Sequence, residues 1–98
     1  MTTRNATKIL FERYLNDFHL TDDLTILVNK ALDEIDVYPI DKLSRWLGYV
    51  QAYIIFSKQS SVEIERDISR PLFHEAYAFE GIDIPESFST ETKKRKIK

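Results

Sequence analysis

The chain of 98 residues contains no cysteine. Disulfides, thiolate zinc sites and cysteine nucleophiles are therefore excluded, and with them the covalent and metal supports of many domains this small. The length allows one small domain. Its stability must come from packing, either within one chain or shared with a second chain.

Glycine and proline are scarce: glycine occurs only at positions 48 and 81, and proline only at 39, 71 and 85. A β-sandwich with many tight turns needs more of both residues, and a phosphate-binding loop needs clustered glycines. Long elements joined by few turns are expected instead.

Long apolar runs are also missing, since no segment approaches the ~20 residues needed to cross a membrane. The segment Met1–Lys8 carries positive charge without the apolar stretch and small-residue cleavage site of a signal peptide. We therefore expect a cytoplasmic protein that does not bind membranes.

Residues suited to catalysis or metal binding are few. The two histidines, His19 and His74, are far apart, and Ala78 stands where a helical zinc motif starting at His74 needs its second histidine. No serine lies in a glycine-flanked nucleophile turn. The sequence predicts no catalytic residue, no metal and no cofactor, and a protein that is not an enzyme.

Charge is divided unevenly along the chain. Residues 1–90 carry 9 Lys and Arg against 15 Asp and Glu, whereas residues 91–98 carry 5 against 1. We expect a single helical domain over residues 1–88 and a flexible basic tail over residues 89–98. The tail is either a solvated terminus or a non-specific contact to nucleic-acid phosphates, made by Lys93, Lys94, Arg95 and Lys96.

Helical spacing of apolar residues runs through most of the chain. It predicts a first helix over residues 4–18, and a second helix capped by Thr21 that ends before Pro39. A third helix is expected over residues 41–58, and a strand over residues 49–56 is the less favoured alternative.

A fourth helix is expected to start at Ser60, with Glu63 completing a capping box, and to end at Gly81. Its apolar stripe is predicted to comprise Ile64, Ile68, Leu72, Ala76 and Phe79. Pro71 should kink this helix or break it in two. Ile82, Ile84 and Phe88 are then expected to lie extended over the core. The fold class is an all-α bundle of four to five helices in which the second and third helices form the core pair.

Aromatic residues make up 12% of the chain, and a domain of 98 residues has only a small interior in which to bury them. Tyrosine and tryptophan are typical of protein interfaces. The third helix has two ridges, of which one is expected to face the domain and the other to contact a partner protein. The alternative places the whole helix inside the bundle. The first ridge comprises Arg45, Tyr49, Ala52 and Phe56, the second comprises Ser44, Gly48, Gln51 and Ile55, and Trp46 and Tyr53 are further interface candidates.

Arg70 precedes Pro71 and follows Arg66 by one helical turn. Ion pairs within the helix, such as Arg66 with Glu63, are one interpretation. Alternatively, Arg70 with Lys58 and a tyrosine binds a small anionic nucleotide at an oligomer interface.

The run KLSRWLGYVQ over residues 42–51, followed by DISRPLF over residues 67–73, resembles a pattern in small uncharacterised proteins of tailed bacteriophages. The resemblance covers about a third of the chain and transfers no catalytic residue. It implies an accessory phage protein that binds a host protein in the host cytoplasm and inhibits or redirects it. The predicted function is therefore a non-enzymatic, self-associating interaction module, and the alternative is a module that binds small nucleotides or nucleic acid.

Overall fold

The computed structural model describes residues 1–83, which form four α-helices: α1 (Thr3–Asp17), α2 (Asp22–Asp33), α3 (Ile40–Phe56) and α4 (Val62–Glu80). The all-helical fold class is confirmed, with four helices rather than five in this part of the chain. The segment over residues 49–56 is helical, so the strand alternative is wrong. Ile82 is 47% exposed, so the expectation that it covers the core is wrong. The expected positions of Ile84 and Phe88, the boundary at residue 88 and the basic tail lie outside the described residues.

Side chains cap the first two helices. The Thr2 hydroxyl accepts from the Asn5 N–H at 3.1 Å, and the Asn5 side chain accepts from the Thr2 N–H at 3.0 Å, which forms a capping box. Thr21 caps α2 as predicted, because its hydroxyl accepts from the Leu24 N–H at 3.2 Å. Both starts are therefore fixed by residues next to the helix.

The fourth helix differs from the prediction at its start and in its middle. Its N-cap is Ser61 rather than Ser60, because the Ser60 hydroxyl donates instead to the Glu65 carboxylate. The helix continues through Pro71 without a break, and the bend expected there stays a prediction. Gly81 ends the helix in the left-handed region at φ 71°, as predicted.

The first helix, rather than the second and third, is the centre of the bundle. It packs against α2, α3 and α4, whereas α3 packs closely against α1 and α2. The two largest fully buried side chains, Tyr14 and Phe11, both belong to α1. The core is completed by Leu10 from the same helix, by Val28 and Ala31 from α2, by Ile35 just after α2, and by Leu43, Leu47, Val50 and Ile54 from α3.

Contacts distant in sequence join the ends of the helices. The Arg4 guanidinium donates to the carbonyls of Ile35, at 2.9 Å, and Tyr38, so α1 holds the chain that leaves α2. The Thr3 N–H donates to the Glu80 carboxylate, which places the start of α1 beside the end of α4. Because Glu65 meets α1 at Arg13, these two helices run antiparallel.

The α3–α4 connection is shaped by Lys58 and Gln59. Lys58 adopts a left-handed conformation at φ 63°, where glycine is usual. The Gln59 side chain accepts from the His19 N–H at 2.7 Å and donates to the His19 carbonyl at 2.8 Å. One amide thus joins the α1–α2 turn to the α3–α4 turn.

Within residues 1–83, none of the helices has both the length and the apolar character needed to span a membrane.

Candidate functional site

A buried carboxylate, Glu65, lies at the interface of α1 and α4 and is 4% exposed. One of its oxygens accepts from Arg13 Nη1 at 2.8 Å and from the Tyr14 hydroxyl at 2.6 Å. The other accepts from Arg13 Nη2 at 3.1 Å and from the Ser60 hydroxyl. Burial of the charge is therefore compensated by a bidentate ion pair and two further hydrogen bonds.

The network shifts the protonation of its members. Burial alone would raise the pKa of Glu65, but the hydrogen bonds from Arg13, Ser60 and Tyr14 outweigh it and hold that pKa below its ordinary value. Burial, together with the hydrogen bond to Glu65, raises the pKa of Tyr14 far above its ordinary value. The hydrogen bond to Glu65 also raises the pKa of Arg13. The carboxylate therefore stays ionised and the phenol stays neutral at physiological pH.

The network continues towards α3. Gln51 Nε2 donates to the Tyr14 hydroxyl at 3.0 Å and to the Ser69 hydroxyl at 3.4 Å. Among the described residues, no buried side-chain nitrogen or oxygen lacks a hydrogen-bond partner. We call Arg13, Tyr14, Gln51, Ser60, Glu65 and Ser69 the Glu65 network. Its carboxylate already accepts four hydrogen bonds, so it is better suited to holding helices together than to accepting a proton from a substrate.

The burial of Glu65 is not evident from the sequence pattern. Ile68, Leu72 and Ala76 set the phase of the stripe, and Ile64 and Glu65 precede Ile68 by four and three residues. Both positions suit the stripe, but Ile64 is 50% exposed and Glu65 is buried. The predicted stripe is therefore wrong at Ile64, and also at Phe79, which is 67% exposed. Ser60 is near Glu65 in sequence, but its other two partners, Arg13 and Tyr14, stand about fifty residues away.

A groove of about 290 Å³ lies between α3 and α4, above the Glu65 network. Arg66 and Arg70 both line it. Within residues 1–83 the one ion pair closer than 4.0 Å is Arg13 with Glu65, so the predicted pairing of Arg66 with Glu63 is wrong. The lining is completed by Gln51 and Ile55 from α3 and by Val62, Glu65 and Ser69 from α4.

The ridge formed by Arg45, Tyr49, Ala52 and Phe56, here called the outer face of α3, is exposed to solvent. Tyr49 is 57% exposed and Phe56 is 89% exposed. A Cβ atom added at neighbouring Gly48 would have no atom within 4 Å, so space is open there as well. The side of α3 that faces the core is a third ridge of Leu43, Leu47, Val50 and Ile54. The alternative that placed the whole helix inside the bundle is therefore wrong.

The six predicted interaction residues lie in different places. Arg45, Tyr49 and Phe56 share the outer face of α3, whereas Arg70 lines the groove. Trp46 and Tyr53 pack, partly buried, against the core. The Trp46 ring meets the Tyr38 ring edge to face at 5.5 Å, and the Lys42 ammonium lies 3.9 Å from the centre of the Tyr38 ring.

The structure does not place Lys58 among the residues that line the groove with Arg70. Lys58 is exposed in the α3–α4 turn, so the predicted pairing of the two cations at one site has no support from the groove. The predicted phosphate contacts of the tail, from Lys93 to Lys96, lie outside the described residues.

Groups of three or more histidine, cysteine or acidic side chains able to hold a metal ion do not occur in the part of the chain that the structure describes. His19 is exposed beside the Gln59 contact, and His74 is half-buried on α4.

Comparison of the chain with protein-family models, with curated proteins and with solved structures finds no match. The resemblance to small phage proteins stays a hypothesis. Two surfaces within residues 1–83 are therefore the candidates for a binding site, the groove and the outer face of α3.

Proposed function

We propose that the protein is a non-enzymatic interaction module that binds a partner protein through the outer face of α3. The observation that carries the proposal is the exposure of Phe56 and Tyr49, 89% and 57%, on one face of a helix whose opposite face is buried in the core. Single exposed apolar residues are ordinary. Two large aromatic side chains on one helix face beside an arginine match the composition of interface hot spots.

Packing within residues 1–83 does not account for these aromatic residues. The core side chains of α3 already meet α1 and α2, and Phe56 lies outside that core. A partner that covers Tyr49 and Phe56 removes apolar surface from water, which favours association at roughly 25 cal/mol per Å² before the costs of ordering. Arg45 and the Tyr49 hydroxyl would form the polar part of such a contact.

The partner that fits the resemblance to phage accessory proteins is a protein of the bacterial host, inhibited or redirected by binding in the host cytoplasm. Self-association through the same face is part of the proposal, because Gly48 leaves room for close approach of a second helix. A stable dimer would then compete with the host protein for the outer face of α3.

The test is an affinity capture from nuclease-treated bacterial lysate, read by mass spectrometry. The variant Tyr49→Ser/Phe56→Ser should lose a protein that the wild type retains in stoichiometric amount. Ile26→Ser is the matched control, since Ile26 is 64% exposed on α2. A captured protein that is kept by the double variant, or lost equally by the control, would contradict the proposal.

Self-association is measured separately by sedimentation equilibrium over a range of protein concentrations. The wild type should form a larger species that the Tyr49→Ser/Phe56→Ser variant does not form. A monomer at every concentration would remove self-association from the proposal without affecting the capture result.

A second candidate function, binding of a nucleotide or nucleic acid, is favoured by the position of Arg70 beside Arg66 in the groove. It would use Arg70, Lys58 or the basic tail. Loss of every captured partner on nuclease treatment, or on deletion of residues 92–98, would support this candidate instead. Repeating the capture from untreated lysate, and with the chain lacking residues 92–98, therefore distinguishes the two functions.

A further inference from the structure

We infer that the groove between α3 and α4 receives an acidic side chain of the partner protein, presented next to an aliphatic residue. The inference depends on the proposed function, because it names the chemistry of the partner that the module binds. It concerns a surface separate from the outer face of α3.

Charge is the first argument. Arg66 and Arg70 stand one helical turn apart on the wall of the groove. Neither lies within 4.0 Å of a carboxylate of residues 1–83. The acidic residue at the floor, Glu65, is neutralised by Arg13. The groove therefore presents two guanidinium groups, and guanidinium binds carboxylate through paired, charge-assisted hydrogen bonds.

The remaining lining specifies what should accompany the carboxylate. Ser69 accepts from Gln51, so its own hydroxyl hydrogen is left to donate. Ile55 and Val62 add an apolar wall at the end nearest the α3–α4 turn. A carboxylate carried beside an aliphatic side chain matches this combination of donors and apolar surface.

Size and openness favour a side chain of a larger molecule over an enclosed small molecule. The volume of about 290 Å³ is at the lower limit of pockets that enclose ligands, about 300–1,000 Å³. Val62 at its rim is 48% exposed, so the groove is open to solvent. An occupant attached to a protein surface can enter without being enclosed.

The floor of the groove is already organised. The chain of hydrogen bonds from Ser69 through Gln51 and Tyr14 to Glu65 fixes the polar groups below the arginines. Little reordering of the floor is needed when a ligand binds, which lowers the entropic cost of binding.

The experiment is an NMR titration of the full chain with the peptide acetyl-Leu-Glu-Leu-amide, and with its glutamine counterpart. The acidic peptide should shift the backbone amides of Ser69 and Arg70 in a saturable way, with a Kd of about 1–10 mM for so short a probe. The affinity of the glutamine peptide should be lower by a factor of about five or more, because it cannot form the charged pairs. Equal binding of the two peptides, or shifts that do not saturate, would overturn the inference.

Variants locate the binding. Arg66→Gln and Arg70→Gln should each weaken binding of the acidic peptide about fivefold or more. Lys8→Gln, which removes a charge from an exposed site on α1, should leave it unchanged. Circular dichroism checks that all three variants keep their helical content. Equal losses for Lys8→Gln would overturn the inference, because the effect would then reflect net charge.

Inorganic phosphate is titrated as a further arm. Binding of phosphate as tight as that of the acidic peptide would overturn the inference in favour of a site for free oxyanions. Because the titration uses no partner protein, its failure leaves the capture result for the outer face of α3 intact. Conversely, failure of the capture experiment does not alter the shifts that the peptide produces.

Discussion

The α1–α4 interface and the outer face of α3 place polar and apolar side chains in opposite ways. In the first region a carboxylate, Glu65, is 4% exposed; in the second a phenyl ring, Phe56, is 89% exposed. The two residues are nine positions apart in sequence. The buried charge has four hydrogen bonds from its own chain, whereas the exposed ring has no place in the core.

This difference distinguishes residues that the fold accounts for from residues that it does not. A buried polar group that is fully hydrogen-bonded is explained by the fold itself. The exposure of two aromatic side chains on one helix face is not explained by packing within residues 1–83, and the proposed function rests on it. Substitution should therefore affect stability in the first region and binding in the second.

Within the two regions compared, the largest expected effect on stability is that of Glu65→Ala. It leaves Arg13, Tyr14 and Ser60 without their shared acceptor, and removal of one member of a buried pair costs about 2–4 kcal/mol when the other is partly exposed. Urea unfolding measures this loss. Glu63→Ala, an exposed site on the same helix, should change stability by about 0.5 kcal/mol or less. Similar losses for the two variants would mean that Glu65 has no special structural role.

The second prediction concerns pH. Because the pKa of Glu65 is lower in the folded state than its ordinary value of 4.5, its ionisation favours the folded protein. This contribution is complete above pH 4.5 and is lost as the pH falls through the lowered pKa. Glu65→Gln, which cannot titrate, should lack this part of the acid destabilisation. The free energy of unfolding of the two proteins is measured at a series of pH values from neutral downwards. An identical dependence of this free energy on pH would contradict the prediction.

A smaller loss is expected for Tyr14→Phe. The substitution keeps the buried ring but removes the hydroxyl that donates to Glu65 and accepts from Gln51. Loss of a hydrogen bond to a charged group should destabilise the fold by about 1–2 kcal/mol. Thermal unfolding measures it. No loss would mean that water replaces the hydroxyl at no cost.

The smallest effect on stability is expected for Phe56→Ser. With 89% of the side chain already in water, unfolding free energy should change by about 0.5 kcal/mol or less. Phe11→Ala, within the core, should cost about 3–5 kcal/mol in the same urea experiment. A large loss for Phe56→Ser would place its ring in the folded core of the protein in solution and weaken the proposed function.

Local features of the fold can be read from the sequence. The cap at Thr21 and the stop at Gly81 depend on neighbouring residues alone, and both are confirmed. The apolar spacing likewise predicts the first helix over residues 4–18, and α1 spans Thr3–Asp17. These predictions succeed because backbone hydrogen bonds and helical periodicity act over a few residues.

Features that depend on distant residues cannot be read in the same way. By residue type, Ser60 and Ser61 are equally suited to cap α4. The difference arises because the Ser60 hydroxyl donates to Glu65, whereas the Ser61 hydroxyl accepts from the Ile64 N–H. The burial of Glu65 needs Arg13 and Tyr14 from another helix. On α3 neither ridge predicted from the spacing faces the core, and only the position of α1 and α2 decides that Leu47 faces inward and Phe56 outward.

The side-chain amide of Gln59 couples the slow local opening of the two turns that it joins. It holds both the N–H and the carbonyl of His19, a residue whose side chain is exposed in the α1–α2 turn. The amide hydrogen of His19 can therefore exchange with solvent deuterium only when the α3–α4 turn releases it. Its exchange rate reports the opening of the two turns as one cooperative unit, and Gln59→Ala should let that hydrogen exchange as in a free peptide.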